Sequence, residues 1–79
     1  MPQSSAEQQR IERHKDGRVR AKGKMLNGLL SGYWEWFRAD GSKMRSGYFD
    51  KGRQVGQWTT YDRKGKVVKL TRMKGAYAR

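Results

Sequence analysis

From Arg18 to Met25 the chain alternates: Arg18, Arg20, Lys22 and Lys24 fall on one parity, Val19, Ala21, Gly23 and Met25 on the other. A period of two places four cations on one face of a strand and four small or apolar groups on the opposite face. Further β-rich stretches follow at Gly32 to Arg38, Lys43 to Phe49, Gly56 to Tyr61 and Lys66 to Met73. Asp16-Gly17, Asn27-Gly28, Asp40-Gly41, Lys51-Gly52 and Lys64-Gly65 punctuate them. Asp-Gly and Asn-Gly pairs supply the positive φ angles that tight hairpin turns demand. Even spacing of this kind predicts an all-β fold, a five-stranded antiparallel meander. The parity is not kept in Lys43 to Phe49, where Met44, Ser46 and Tyr48 alternate with Lys43, Arg45, Gly47 and Phe49. That pattern requires a register-shifting bulge or a sheet that uses both faces. Trp34 and Phe37, like Trp58 and Tyr61, lie three apart and point to opposite faces of a regular strand, so aromatics are expected on both.

Beneath the alternation runs a longer period of twenty-four residues. Asp16 to Ala39 overlays Asp40 to Arg63 without a gap, matching Gly17/Gly41, Gly23/Gly47, Gly28/Gly52, Gly32/Gly56 and Trp34/Trp58, with Met25 on Phe49 and Phe37 on Tyr61. A partial copy follows over 64–79, with Gly65, Val67 and Met73 in the matching places. A fixed period of this length signals one small supersecondary unit used repeatedly. The expected domain is therefore 16–79. Residues 1–15 read as a polar tail, disordered or frayed, with Ser5 and Gln8 in the spacing of a helix start and Ile11 its one large apolar residue after Met1.

Gly32-Tyr33-Trp34-Glu35-Trp36-Phe37 and Gly56-Gln57-Trp58-Thr59-Thr60-Tyr61 share a Gly-x-Trp-x-x-aromatic pattern, each preceded by Gly-x-x-x-x-Gly. In these motifs the chain resembles the MORN-repeat variant family, short β-hairpin repeats found in many bacterial proteins, some of them described as antitoxins. The likeness spans about Asp16 to Met73. It implies extended antiparallel hairpins, and binding rather than catalysis.

Charge sharpens that expectation. The net charge is +12, and residues 64–79 hold six basic side chains and no acidic one. Such an imbalance predicts an acidic partner or a polyanion. Two groups of cations are candidates for that contact: Arg18, Arg20, Lys22 and Lys24, which repeat every ~6.5–7 Å along a strand face, and Lys64, Lys66, Lys69, Arg72 and Lys74, with Arg79 beyond them. The bland alternative for the first group is a solvated face that deters edge aggregation. Trp34 and Trp58 hold identical repeat positions and are expected to pack on a neighbouring hairpin. Tyr33 and Trp36 instead face Gln57 and Thr60 in the second copy, so the framework does not require them. With Leu29 and Leu30, where the second copy has Arg53 and Gln54, they are the candidate partner contacts, the two leucines serving equally well to plug a gap in the small core.

Catalytic and metal chemistry find no purchase. His14 is the single histidine, there is no cysteine, and Asp16, Asp40, Asp50 and Asp62 fall at expected turns where they cap the backbone. No enzyme and no cofactor are expected. The leading expectation is a binding module for an acidic protein, an antitoxin-like or mobile-element inhibitor. The alternative is a small basic nucleic-acid-binding protein, and attachment to an anionic membrane ranks below both. No run is long enough to span a bilayer and the start lacks an apolar signal core, so the expected location is cytoplasmic. The expected strands at either edge are basic and unpaired, so either the sheet curls into a barrel or its edges find partners, and the leaning is to a homodimer or to edge pairing with the target.

Overall fold

The computed structural model describes residues 7–75, so the helix start at Ser5 and Arg79 both lie outside the described residues. Six strands, β1 (Glu7–Arg13), β2 (Val19–Leu26), β3 (Leu29–Phe37), β4 (Lys43–Asp50), β5 (Arg53–Tyr61) and β6 (Val67–Met73), form one open antiparallel sheet in sequential order. The all-β meander expected from the alternation is present, with one strand more than the five predicted. The extra strand is β1, which lies inside the stretch read as a polar tail. It carries no amphipathic signature because pairing with β2 and ion pairs hold it, rather than an apolar face: Glu12 reaches Arg20 at 3.1 Å and Glu7 reaches Lys24 at 3.5 Å.

One layer has no second sheet to cover it, so the core must come from the sheet itself. The buried apolar residues are Ala21, Trp34, Val55 and Trp58, with Ser46 the buried polar one. Trp34 and Trp58 are only 3% and 2% exposed because each indole lies over a glycine of the preceding strand, Gly23 under Trp34 and Gly47 under Trp58. A Cβ at either glycine would overlap the ring. The indole N–H of Trp34 donates to the Lys24 carbonyl at 3.0 Å, and that of Trp58 to the Val55 carbonyl at 3.2 Å. Trp36 bridges the two, with ring centroids 5.9 Å from Trp34 and 5.3 Å from Trp58, and Phe49 stands edge-on to both.

The doubt over parity resolves as both readings at once. Bulges place Arg20, Met44 and Val68 as unpaired extra residues, and two more shifts fall at Lys22/Lys24 and Ser46/Tyr48. Alternation then divides the aromatics. Trp34, Trp36, Phe49 and Trp58 share the indole face; Tyr33, Phe37, Tyr48 and Tyr61 occupy the tyrosine face. Two rows of directly opposed residues cross the whole sheet. On the indole face the row is Glu12, Ala21, Trp36, Arg45, Thr60, Lys69; on the tyrosine face it is Ile11, Lys22, Glu35, Ser46, Thr59, Leu70.

The two ends of the sheet use different turns. At one end, Gly17, Gly41 and Gly65 donate to the carbonyls of His14, Arg38 and Asp62 at 2.9–3.0 Å, closing three-residue loops. Asp16, Asp40 and Asp62 accept backbone N–H groups there, as expected; Asp50 instead ends β4, opposite Arg53. Hydrogen bonds from Ser42 hold the Asp40 carboxyl below its ordinary pKa. Successive loops are strapped together: His14 Nε2 donates to the Phe37 carbonyl at 3.0 Å, and Arg38, in the same repeat position, donates to the Tyr61 carbonyl at 2.6 Å. At the other end, Asn27-Gly28 and Lys51-Gly52 form two-residue turns with φ of 54° and 82° and of 54° and 83°. Asn tolerates that left-handed angle, whereas Lys51 bears a cost of about 1 kcal/mol.

Two stability predictions follow from this packing. Gly47→Ala will lower the unfolding free energy by about 2–3 kcal/mol, the cost of displacing a well-packed ring, read as a lower urea midpoint. Lys51→Asn will raise it by about 0.5–1 kcal/mol by relieving the left-handed strain, read in the same titration.

Candidate docking edge

The two basic groups singled out in the sequence meet different fates. Every cation of the first has a carboxylate beside it: Arg18 and Asp16 at 3.8 Å, Arg20 and Glu12 at 3.1 Å, Lys22 and Glu35 at 4.0 Å, Lys24 and Glu7 at 3.5 Å. Exposed pairs of this kind are worth only ~0–1 kcal/mol each, and they offset the positive charge of the stripe only in part, since Glu12 also meets Arg10 at 3.2 Å and Glu35 meets Lys43 at 2.7 Å. Two of the four carboxylates come from β1, the strand that the sequence does not announce. The expected basic, unpaired first edge is therefore corrected: β1 covers it and offsets part of its charge.

The second group keeps its charge. Among the described residues, none of Lys64, Lys66, Lys69, Arg72 and Lys74 forms an ion pair. Lys64 and Lys66 flank the last loop, where Asp62 accepts their backbone N–H groups at 2.8 and 2.9 Å and leaves the ammonium groups outward. Lys69 and Arg72 lie on β6, opposite Thr60 and Gln57, and so project to opposite faces of the sheet. Among these cations stand three large apolar side chains, Val67 and Val68 before Lys69 and Leu70 after it, 48%, 57% and 59% exposed. β6 is one of the two edge strands, paired with β5 on one side only. An outermost strand of this kind presents a row of unused backbone donors and acceptors.

The four candidate partner contacts do not come together. Trp36 is half-buried at the centre of the indole cluster, so the framework does use it, by bridging Trp34 and Trp58. Leu30 joins it on that face, beside a cavity of about 140 Å³ lined also by Ala21, Met25 and Trp34. Tyr33 is on the other face, 43% exposed, its ring 5.4 Å from that of Tyr48. Leu29 sits at the hairpin end, against Gly52 of the next turn. Sequence reasoning passed over Val67, Val68 and Leu70. Their signal was present: Thr71 occupies the repeat position of Gly23 and Gly47, so β6 is not built to receive an indole from a following strand.

One charge cluster is structural. Glu35, with only 17% of its side chain exposed, accepts from Lys43 at 2.7 Å and from the Tyr33 hydroxyl at 3.4 Å. The hydrogen bond to Glu35 pushes the Lys43 pKa above its ordinary 10.5, against a smaller opposing effect of burial. Lys43 also lies over the Tyr61 ring, 5.4 Å from its centroid, and Ser46 shares a 3.0 Å hydrogen bond with the Tyr61 hydroxyl.

A raised lysine pKa contributes stability below the unfolded-state value and loses it as pH climbs through the folded-state value. Glu35→Gln will therefore cost about 1 kcal/mol near pH 7, a charged hydrogen bond discounted for the exposure of Lys43. The gap from the parent chain will narrow above pH 10.5, measured by urea midpoints across that range. No family model, no curated protein and no solved structure matches this chain, so the reading of its function rests on the geometry of the sheet and its edges.

Proposed function

We propose that this chain is a non-enzymatic docking module of MORN-like hairpins whose β6 edge and last loop bind an acidic protein, in the manner of an antitoxin or another inhibitor. The observation that carries the reading is the contrast between edges. The cations of β2 are matched by carboxylates, whereas those from Lys64 to Lys74 are unmatched and interleaved with exposed Val67, Val68 and Leu70. An extended segment added to a sheet edge gains main-chain hydrogen bonds and presents side chains alternately to both faces. That suits a strand whose Lys69 and Arg72 also project to opposite faces. Phosphate contacts draw on the cations alone. The exposed apolar groups supply contact area that salt does not screen.

The test is capture of the partner from the native host by the parent chain and by a Lys69→Glu, Leu70→Asp, Arg72→Glu variant. Capture by the parent will survive nuclease and ~0.3 M salt, because phosphate-driven binding falls by orders of magnitude over such a range whereas apolar contact does not. The variant will retain at least tenfold less. Loss of the captured material on nuclease treatment would establish the nucleic-acid reading instead, and equal capture by parent and variant would remove β6 from the site.

A further inference from the structure

The two transverse rows that cross the sheet end in complementary residues. The indole-face row begins at Glu12 and ends at Lys69; the tyrosine-face row begins at Ile11 and ends at Leu70. The twenty-four-residue period explains why these ends match in register. On either side of β2, Ala21 meets a residue of one repeat position, Glu12 across β1 and Trp36 across β3. Arg45 of β4 likewise meets Trp36 and Thr60. Lys69 is the β6 member of that series, with Thr60 on its inner side and its outer side open. The residue type that fills the open place is the counterpart of Glu12.

We infer that β1 of a second copy of this chain pairs with the β6 edge, antiparallel and in that register, so that copies join head to tail into one continuous sheet. The inference rests on β6 being the docking edge and adds a second occupant, a further copy of the chain, that competes there with the acidic partner. The β1–β2 pairing within one copy provides the template, running from Glu12 opposite Ala21 to Glu7 opposite Leu26. Moved to β6, it sets Glu12 opposite Lys69 and Glu7 opposite Lys74, a carboxylate facing an ammonium at each end. Between them Ile11, 44% exposed, faces Leu70, 59% exposed. Arg10 falls opposite Thr71 and Arg72 opposite Gln9, so no cation faces a cation. Directly opposed side chains lie ~4.5–5.5 Å apart, close enough for each such pair to contribute. The acids are able to serve two copies at once. Glu7 holds Lys24 through Oε2 alone, and each oxygen of Glu12 accepts one bond, from Arg20 or Arg10, with further lone pairs spare.

The contact is heterologous, so each addition leaves one open β1 and one open β6, and growth continues past a dimer unless the curvature closes a ring. A charge of +12 per copy opposes association over long range. At ~0.15 M salt the screening length is ~8 Å, which suppresses that repulsion more than it weakens adjacent cross-strand pairs.

Sedimentation equilibrium of the pure chain, without partner, from micromolar to near-millimolar concentration will show a mass rising from 9.2 kDa through twice that value and beyond. Lys69→Glu/Lys74→Glu, which breaks no ion pair within a copy, will weaken self-association at least tenfold, because carboxylates then oppose Glu12 and Glu7. Added to the parent chain at fixed parent concentration, this variant will still place its β1 on the parent's β6 and cap growth, lowering the mean mass. Tryptophan fluorescence of the variant confirms that the indole cluster is intact. A parent chain that stays monomeric throughout overturns the inference, as does a variant that associates as the parent does or leaves the parent's mean mass unchanged. Neither result touches the acidic-partner reading, which the capture experiment decides.

Discussion

A ring lying flat on a backbone is the contact on which this molecule depends. A single sheet exposes both faces to water, and about sixty-seven residues in strands and tight turns bury little surface by any other route. Placing Trp34 over Gly23 and Trp58 over Gly47 removes two indoles from water without a second layer. The glycine is as necessary as the tryptophan, because any side chain there holds the ring away from the strand. Trp36 and Phe49 then join the two sites into one cluster across three strands, so that hairpins separated in sequence share a core.

The ends of the sheet hold the hairpins in step. Three-residue loops at one end are strapped by His14 and Arg38, each reaching the carbonyl that precedes the next loop, while tight two-residue turns close the other end. At the second end Gly52 donates to the Leu30 carbonyl at 2.9 Å, tying one turn to the next hairpin. Bulges recur at Arg20, Met44 and Val68 and add local twist. Regular alternation between bulges keeps residues in straight transverse rows, and those rows carry the packing on one face and the Glu35–Lys43 cluster on the other.

Charge placement separates two strands that composition treats alike. β2 and β6 hold corresponding repeat positions and both are rich in cations. One is enclosed by β1 and β3, whose carboxylates answer it; the other has β5 on a single side, with Thr59, Thr60 and Gln57 opposite its own residues. The unanswered cations of β6 therefore lie along an edge of the sheet.

The all-β class, the meander and the turn positions were legible in the residues, because each follows from local rules: φ demands at turns and alternation in strands. The presence of aromatics on both faces was legible too, from the three-residue spacing of Trp34 and Phe37. The seating of Trp34 on Gly23 and of Trp58 on Gly47 was not, because it brings adjacent strands into register. β1 was not either, since Glu7–Arg13 has one large apolar residue and becomes a strand only by pairing with β2. Nor was the neutralisation of Arg20 and Lys24, which takes carboxylates from that strand. Tyr33 and Trp36, close in sequence, were separated by the pleat, and Trp36 proved central to the cluster because three strands converge on it. Local chemistry set the ribbon and its corners; which cations stay unanswered, and which edge stays open, depends on what each strand finds across from it once the sheet has formed.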